Sequence, residues 1–263
     1  MMHTIGSMIF IVVFSMGTAV ADMDWETMTL KTSAQDRSTA IDFLEQELYT
    51  LQYDANRTVE DFLRTHFTLS KKLTDVLRNY QVIQQNYLTD GGIEYVCEAK
   101  IASDVLAVLI PPMTERVPLV VPMLCPCCGQ PWPRGKAVPA DHELVPQEVE
   151  PTQYSGVVID CRDFPLTPCL FPRIYNDLNE EVFSVNFAHH DHLVQNGLVL
   201  YTTQELHNHS RTGDNPLRIK ARGVFGNALT DIKISSFDAR RMHGSKHNLQ
   251  LLKECRVAII IGP

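Results

Sequence analysis

The sequence is short of positive charge. Its 263 residues set 23 Lys and Arg against 31 Asp and Glu, a formal net charge of −8. Nucleic-acid backbones are gripped by concentrations of Lys and Arg. None occurs here, which excludes nucleic acid as the main partner. Also missing are the short patterns that carry enzyme chemistry. No G-x-S-x-G, H-E-x-x-H, P-loop or G-x-G-x-x-G occurs, so the nucleophile, zincin and nucleotide templates have no support. Asp160, Asp163, Glu180 and Glu181 supply carboxylates, but acid–base catalysis needs two that converge. The residues point to a protein that is not an enzyme.

Long apolar runs are absent too. The stretch Ile9 to Phe14 falls well short of the roughly 20 residues of a membrane span. Followed by Ala19-Val20-Ala21 and the acidic Asp22-Met23-Asp24, it reads as a secretory signal over residues 1–21, cleaved after a small-x-small site. No cysteine stands at that point, so no lipid anchor is expected there, and the mature chain carries no transmembrane span. A periplasmic or otherwise exported place in the cell envelope follows. All seven cysteines, Cys97, Cys125, Cys127, Cys128, Cys161, Cys169 and Cys255, lie in the mature part, where they meet an oxidising compartment. The odd count leaves one thiol over unless a metal or a second chain takes it.

What is present is ordinary globular sequence, with 44% hydrophobic and 21% charged residues, enough to bury real cores. The length suggests two domains. Ile41, Leu44, Leu48 and Leu51 recur at helical spacing after an Asp36-Arg37 start, and Val59 to Leu77 continues the pattern after Thr58. "YQVIQQNYLTDGGIEYVCEAKI" alternates as two strands joined near Asp90-Gly91-Gly92. "SDVLAVLIPP" reads as a short helix capped by Ser103, and "MTLKTSA" as a further strand. Residues 22–112 therefore form an N-terminal α+β domain.

From 113 to 153 prolines recur, and helix and strand are both disfavoured. This is a proline-rich, cysteine-containing linker or wrapping arm. Residues 154–263 then mix strands, "YSGVVIDC", "LVLYTT" and "CRVAIIIGP" among them, with helices at "HDHLVQNG" and "SFDARRMHG", the latter capped by Ser235 or Ser236. The expected fold class is α+β, two small mixed domains on either side of the linker.

The helix "AQDRSTAIDFLEQEL", the "RTVEDF" that opens the next helix and the hairpin "YLTDGGIEYVCEAKI" resemble the N-terminal domain of flagellar assembly protein T and the related LPP-twenty-type lipoprotein domain. Downstream, "YSGVVIDCRDFPLTPCLFPRIYNDLNEEVFS", "NPLRIKARGV", "TDIKISSFDARRM" and "LLKECRVAIII" are similar to a C-terminal module of uncharacterised bacterial envelope proteins. The resemblance implies an exported α+β envelope protein with other envelope proteins, or further copies of itself in a ring, as partners. It transfers no catalytic residues.

Two clusters carry chemistry. Cys125-Pro126-Cys127-Cys128-Gly129 contains C-x-x-C-G, the turn of a zinc knuckle. A structural zinc needs four ligands and no second C-x-x-C is present, which leaves Cys161, Cys169, His142 or a second chain to join Cys125, Cys127 and Cys128. The same cysteines fit a redox pair, although Pro131 and Pro133 follow where a thioredoxin-like helix would start. They also fit a disulfide-braced hinge with Trp132 docked on one domain. The second cluster is His189, His190 and His192, with His207 and His209 behind. His189 and His192 lie three apart, close enough on a helix to share zinc, copper or nickel. A solvated helix cap is the other reading.

Overall fold

The computed structural model describes residues 21–262 apart from 79, 81, 90, 113–119 and 134. The fold is α+β. The expected export signal lies outside these residues but for Ala21, and so does Asp90 of the expected turn.

The chain opens with β1 (Ala21–Asp24) and β2 (Thr29–Ala34), an antiparallel pair. Helix α1 (Arg37–Thr50) starts at Asp36, whose carboxylate takes the N–H of Thr39 at 2.9 Å, and buries Ala40, Leu44 and Leu48. Helix α2 (Val59–Arg64) begins with a capping box between Thr58 and Asp61. The periodicity suggested one helix from here to Leu77, but the chain breaks at Thr65 and His66. The N–H groups of both turn back to the carbonyls of Phe62 and Leu63, and a separate α3 (Phe67–Leu77) follows. Strands β3 (Val82–Tyr87) and β4 (Ile93–Lys100) form the expected hairpin, giving a sheet in the order β1-β2-β4-β3. Ser103 does not cap the next helix. It sits at φ 78 inside a wide turn, and α4 (Leu106–Leu109) starts three residues later.

In the proline-rich segment β5 (Met123–Leu124) pairs with β6 (Val145–Pro146), and Leu124 also bridges to Pro131. Beyond it come β7 (Val157–Asp160), β8 (Ile174–Tyr175), β9 (Glu181–Phe183), α5 (His190–Asn196) and β10 (Leu200–Thr202). Strands β11 (Leu217–Lys220), β12 (Gly223–Phe225) and β13 (Asp231–Lys233), helices α6 (Ser236–His243) and α7 (Lys246–Lys253), and β14 (Val257–Ile260) complete the chain. Strands β10-β14-β7-β11 make a wholly parallel sheet, and β12-β13-β8-β9 a mixed one. Every residue of β14 is buried, which accounts for the unbroken "VAII": a strand covered on both faces has no polar position to alternate. Ser235 caps α6, Ser245 caps α7 and Gly197 (φ 74) ends α5.

One apolar core runs through both halves. Tyr53 stacks on Phe62 at 4.2 Å and meets the edge of Phe171 at 4.9 Å, and its hydroxyl donates to the carbonyl of Leu109 at 2.8 Å. Backbone bonds stitch the same seam: the N–H groups of Leu170 and Phe171 donate to Gln52 and Tyr53, and that of Ala228 to Ala55. Full burial of a side chain such as Phe62 contributes about 1.5–3 kcal/mol. The proline-rich segment is tied down as well. The N–H groups of Val149 and Glu150 donate to Gly244, and Glu150 pairs with Arg241 at 3.1 Å.

Candidate functional site

A cleft of about 410 Å³ opens where the β1–β2 turn meets the C-terminal half. On one side stand Glu26 to Met28 of that turn with Lys100 at the end of β4. On the other stand His192 of α5, His209 and Arg211 of the loop before β11, and Glu254 and Arg256 after α7. Trp25 packs edge-on against Tyr201 at 5.6 Å and seats the turn.

The loop that carries Arg211 is tightly built. His209 accepts the N–H of Arg211 on its Nδ1 at 3.1 Å, and its carbonyl takes the N–H groups of Thr212 and Gly213. Glycine is required twice. A Cβ on Gly156 would lie 2.7 Å from the Thr212 Cα, and one on Gly213 (φ 72) would lie 2.5 Å from the Ser155 side chain. Held this way, Arg211 donates to the carbonyls of Asn196 and Gly197 at 2.7 and 2.8 Å, the end of α5, where the helix dipole favours a cation. Its Nε is buried with no partner among the described residues. Burial lowers its pKa to about 10, with Arg256 adding to the drop and Cys255 opposing it. Cys255, at φ 55, makes the turn out of α7 that carries Arg256 back to the cleft, where Arg256 donates to the carbonyl of Ser155 at 2.7 Å.

The cysteine turn is a separate feature. Cys125 follows β5 directly. Its N–H donates to Gln130 and its carbonyl takes the N–H of Gly129 (φ 69). The backbone N–H groups of Cys128 and then Cys127 hold the Cys125 thiol below its usual pKa. Cys127 Sγ lies 3.9 Å from Nε2 of His142, whose Nδ1 faces Asp141 at 3.1 Å. No disulfide joins the cysteines: Cys127 and Cys128 are exposed, Cys125 is half-buried, and Cys97, Cys161, Cys169 and Cys255 are buried. Cys161 and Cys169 thus belong to the core and not to the turn. Trp132 stays within its own segment, its indole N–H donating to the carbonyl of Lys136 at 3.0 Å.

The histidine pair is also placed. His189 and His192 rings lie 5.9 Å apart, the first exposed and the second facing the cleft. Among the described residues no group of three or more His, Cys, Asp and Glu is arranged to hold a metal ion.

These features fall unevenly on a similarity to a known family. Residues 156–263 match the family model of Treponema pallidum Tp0624, second domain. A comparison with curated proteins gives no match. The matched region begins at Gly156, just before β7, and includes the parallel sheet, the Arg211 loop and Arg256. The β1–β2 turn, Lys100 and the cysteine turn lie outside it. In the sequence, "RTGDNP" (211–216) has the composition of a plain turn, and Lys100 and Arg256 belong to no motif. Only Gly213 hinted at a loop under steric constraint.

Proposed function

We propose that this chain is an exported envelope protein with a structural or assembly role, not an enzyme, and that it associates with further copies of itself. The observation that carries this reading is the outer edge of β3. Among the described residues that strand pairs with β4 alone, so one row of its backbone groups has no described strand beside it. Its sequence, VIQQNY, holds neither charge nor proline, and Ile83 and Tyr87 are 55% and 80% exposed. Monomeric proteins protect such edges with charges, prolines or bulges; β3 has a bulge at Ile83, near its start, and neither charge nor proline in the residues that follow. The opposite edge, β1, has that protection in Asp24. A β3 edge meeting its own copy would extend the sheet across a two-fold axis, the commonest symmetry of homo-oligomers. No helix among the described residues is long and apolar enough to cross a membrane.

The test is sedimentation of the mature chain beside Ile83→Lys and Tyr87→Lys, together with deletion in the source cell. The reading expects an oligomer that both substitutions dissociate, and a defect in motility or envelope integrity on deletion. A monomer at all concentrations, with motility and envelope unchanged by deletion, overturns it.

A second reading is a zinc-binding protein using Cys125, Cys127 and Cys128, whose side chains the ion would have to draw together, since among the described residues no three such groups are arranged to hold one. Two backbone N–H groups on one sulfur stabilise a thiolate, the form that ligates zinc, and His142 beside Cys127 offers a fourth donor. His189 and His192 would form a separate and weaker site. Elemental analysis of protein purified without chelator or His-tag decides it: about one zinc per chain, lost in the double variant Cys125→Ser/Cys128→Ser, supports the reading, and no zinc ends it.

A further inference from the structure

The cleft between the β1–β2 turn and the Arg211 loop gathers three cations, Lys100, Arg211 and Arg256, in a chain whose net charge is −8. Among the described residues none of the three is ion-paired with a carboxylate. The two carboxylates on the same walls are engaged with neutral partners, Glu26 with the hydroxyl of Thr202 and Glu254 with the amide of Gln250. A guanidinium withdrawn from water is costly without an opposite charge, and here backbone carbonyls supply only part of what is needed. Among the described residues the Nε of Arg211 is left without a partner, although two glycines and the His209 side chain hold the loop that carries it. Met28, Val199 and Leu200 add apolar wall beside the cations. The volume, about 410 Å³, falls in the range of small-molecule sites.

We infer that this cleft binds a small molecule through its oxyanion group, a carboxylate or a phosphate, held by Arg256 and Lys100 against the positive field of Arg211. Guanidinium and ammonium groups recognise both oxyanions through charge-assisted hydrogen bonds. The ligand's remaining atoms would lie on the apolar wall. Because Lys100 comes from the N-terminal sheet and both arginines from the C-terminal half, the ligand would bridge the two.

Calorimetric titration of the full mature chain with sodium phosphate, and separately with sodium succinate, at ionic strength held constant with sodium chloride, tests the inference. The expected result is saturable binding of at least one anion, weakened tenfold or more by Arg256→Gln. Lys100→Gln, a substitution of an exposed side chain, gives the same reading should Arg256→Gln fail to fold. Phosphate alone would assign a phosphate-bearing ligand, and succinate alone a carboxylate-bearing one. No saturable binding of either anion, or binding that the substitutions leave unchanged, overturns the inference.

Discussion

His243 on α6 accepts the backbone N–H of Val120 on its Nδ1 at 3.1 Å, across 123 positions of sequence. Its Nε2 lies 2.7 Å from the carbonyl of Val182 and donates to it. Both bonds require one neutral tautomer, and burial lowers the imidazole pKa to about 4. The ring therefore pins Val120 of the proline-rich segment to the C-terminal core only while uncharged.

The consequence is a pH dependence with two opposing parts. His243 is harder to protonate folded than unfolded, so its contribution is intact above pH 6.5 and is lost as pH falls towards 4, to a total of about 3 kcal/mol. Asp231 runs the other way. Burial raises its pKa from 3.8 to about 6 against the N–H of Arg173. It therefore adds stability as pH falls from 6 towards 3.8, by about 3 kcal/mol. These two contributions are expected nearly to cancel between pH 6 and 4. Asp231→Asn should uncover a loss of about 2–3 kcal/mol between pH 7 and 4.5, measured by urea unfolding at both values. A flat curve in that variant contradicts the assignment.

Thiol reactivity should divide the cysteines into two groups. After metal removal and reduction, Cys125, Cys127 and Cys128 are expected to alkylate at neutral pH in the native state, with Cys125 first because its sulfur receives backbone N–H groups. Burial raises the pKa of Cys97, and that of Cys161 and Cys169 to about 12 and of Cys255 to about 11. These should react only on unfolding. Peptide mapping after timed iodoacetamide exposure reads the order directly.

How much of this could be read from the sequence depends on whether the signal was local. Asp36, Ser235 and Gly197 were visible as helix ends because capping uses the residue's own neighbours. Helix α7 was not. Its eight residues follow α6 after only Gly244 and Ser245, and it buries little more than Leu251 and Leu252, too few to set a period. Ser103 looked like a cap, but a left-handed backbone at that position prevents it. The cleft was beyond reach for a different reason: Lys100, Arg211 and Arg256 share no spacing and meet only through tertiary packing.

The seam between the halves gives a third prediction. Phe171→Ala removes the ring that Tyr53 meets edge-on and should cost about 3–5 kcal/mol. Tyr53→Phe keeps both ring contacts and loses only the hydrogen bond to Leu109, a cost of about 1 kcal/mol. Wild type should unfold in one transition followed alike by tryptophan fluorescence and far-ultraviolet circular dichroism, and separated transitions would refute a shared core.

Steric fit in the Arg211 loop supplies the last. A methyl at Gly156 meets the Thr212 backbone at 2.7 Å, so Gly156→Ala should lose about 1–3 kcal/mol and displace the loop. Gly223→Ala, with nothing within 4 Å of the added carbon, is the matched control and should change stability little. Thermal unfolding of the two variants separates them.

The core shared by the two halves also fixes a timetable. As the chain is made, the segment around Tyr53 exists before Phe171 and Ala228, and the acceptors at Gln52, Tyr53 and Ala55 must wait for donors more than a hundred residues downstream. Until the last strand is delivered, the early half carries a raw apolar flank. Synthesis cut short before β7 would leave a sticky fragment for proteases and chaperones, not a smaller working protein.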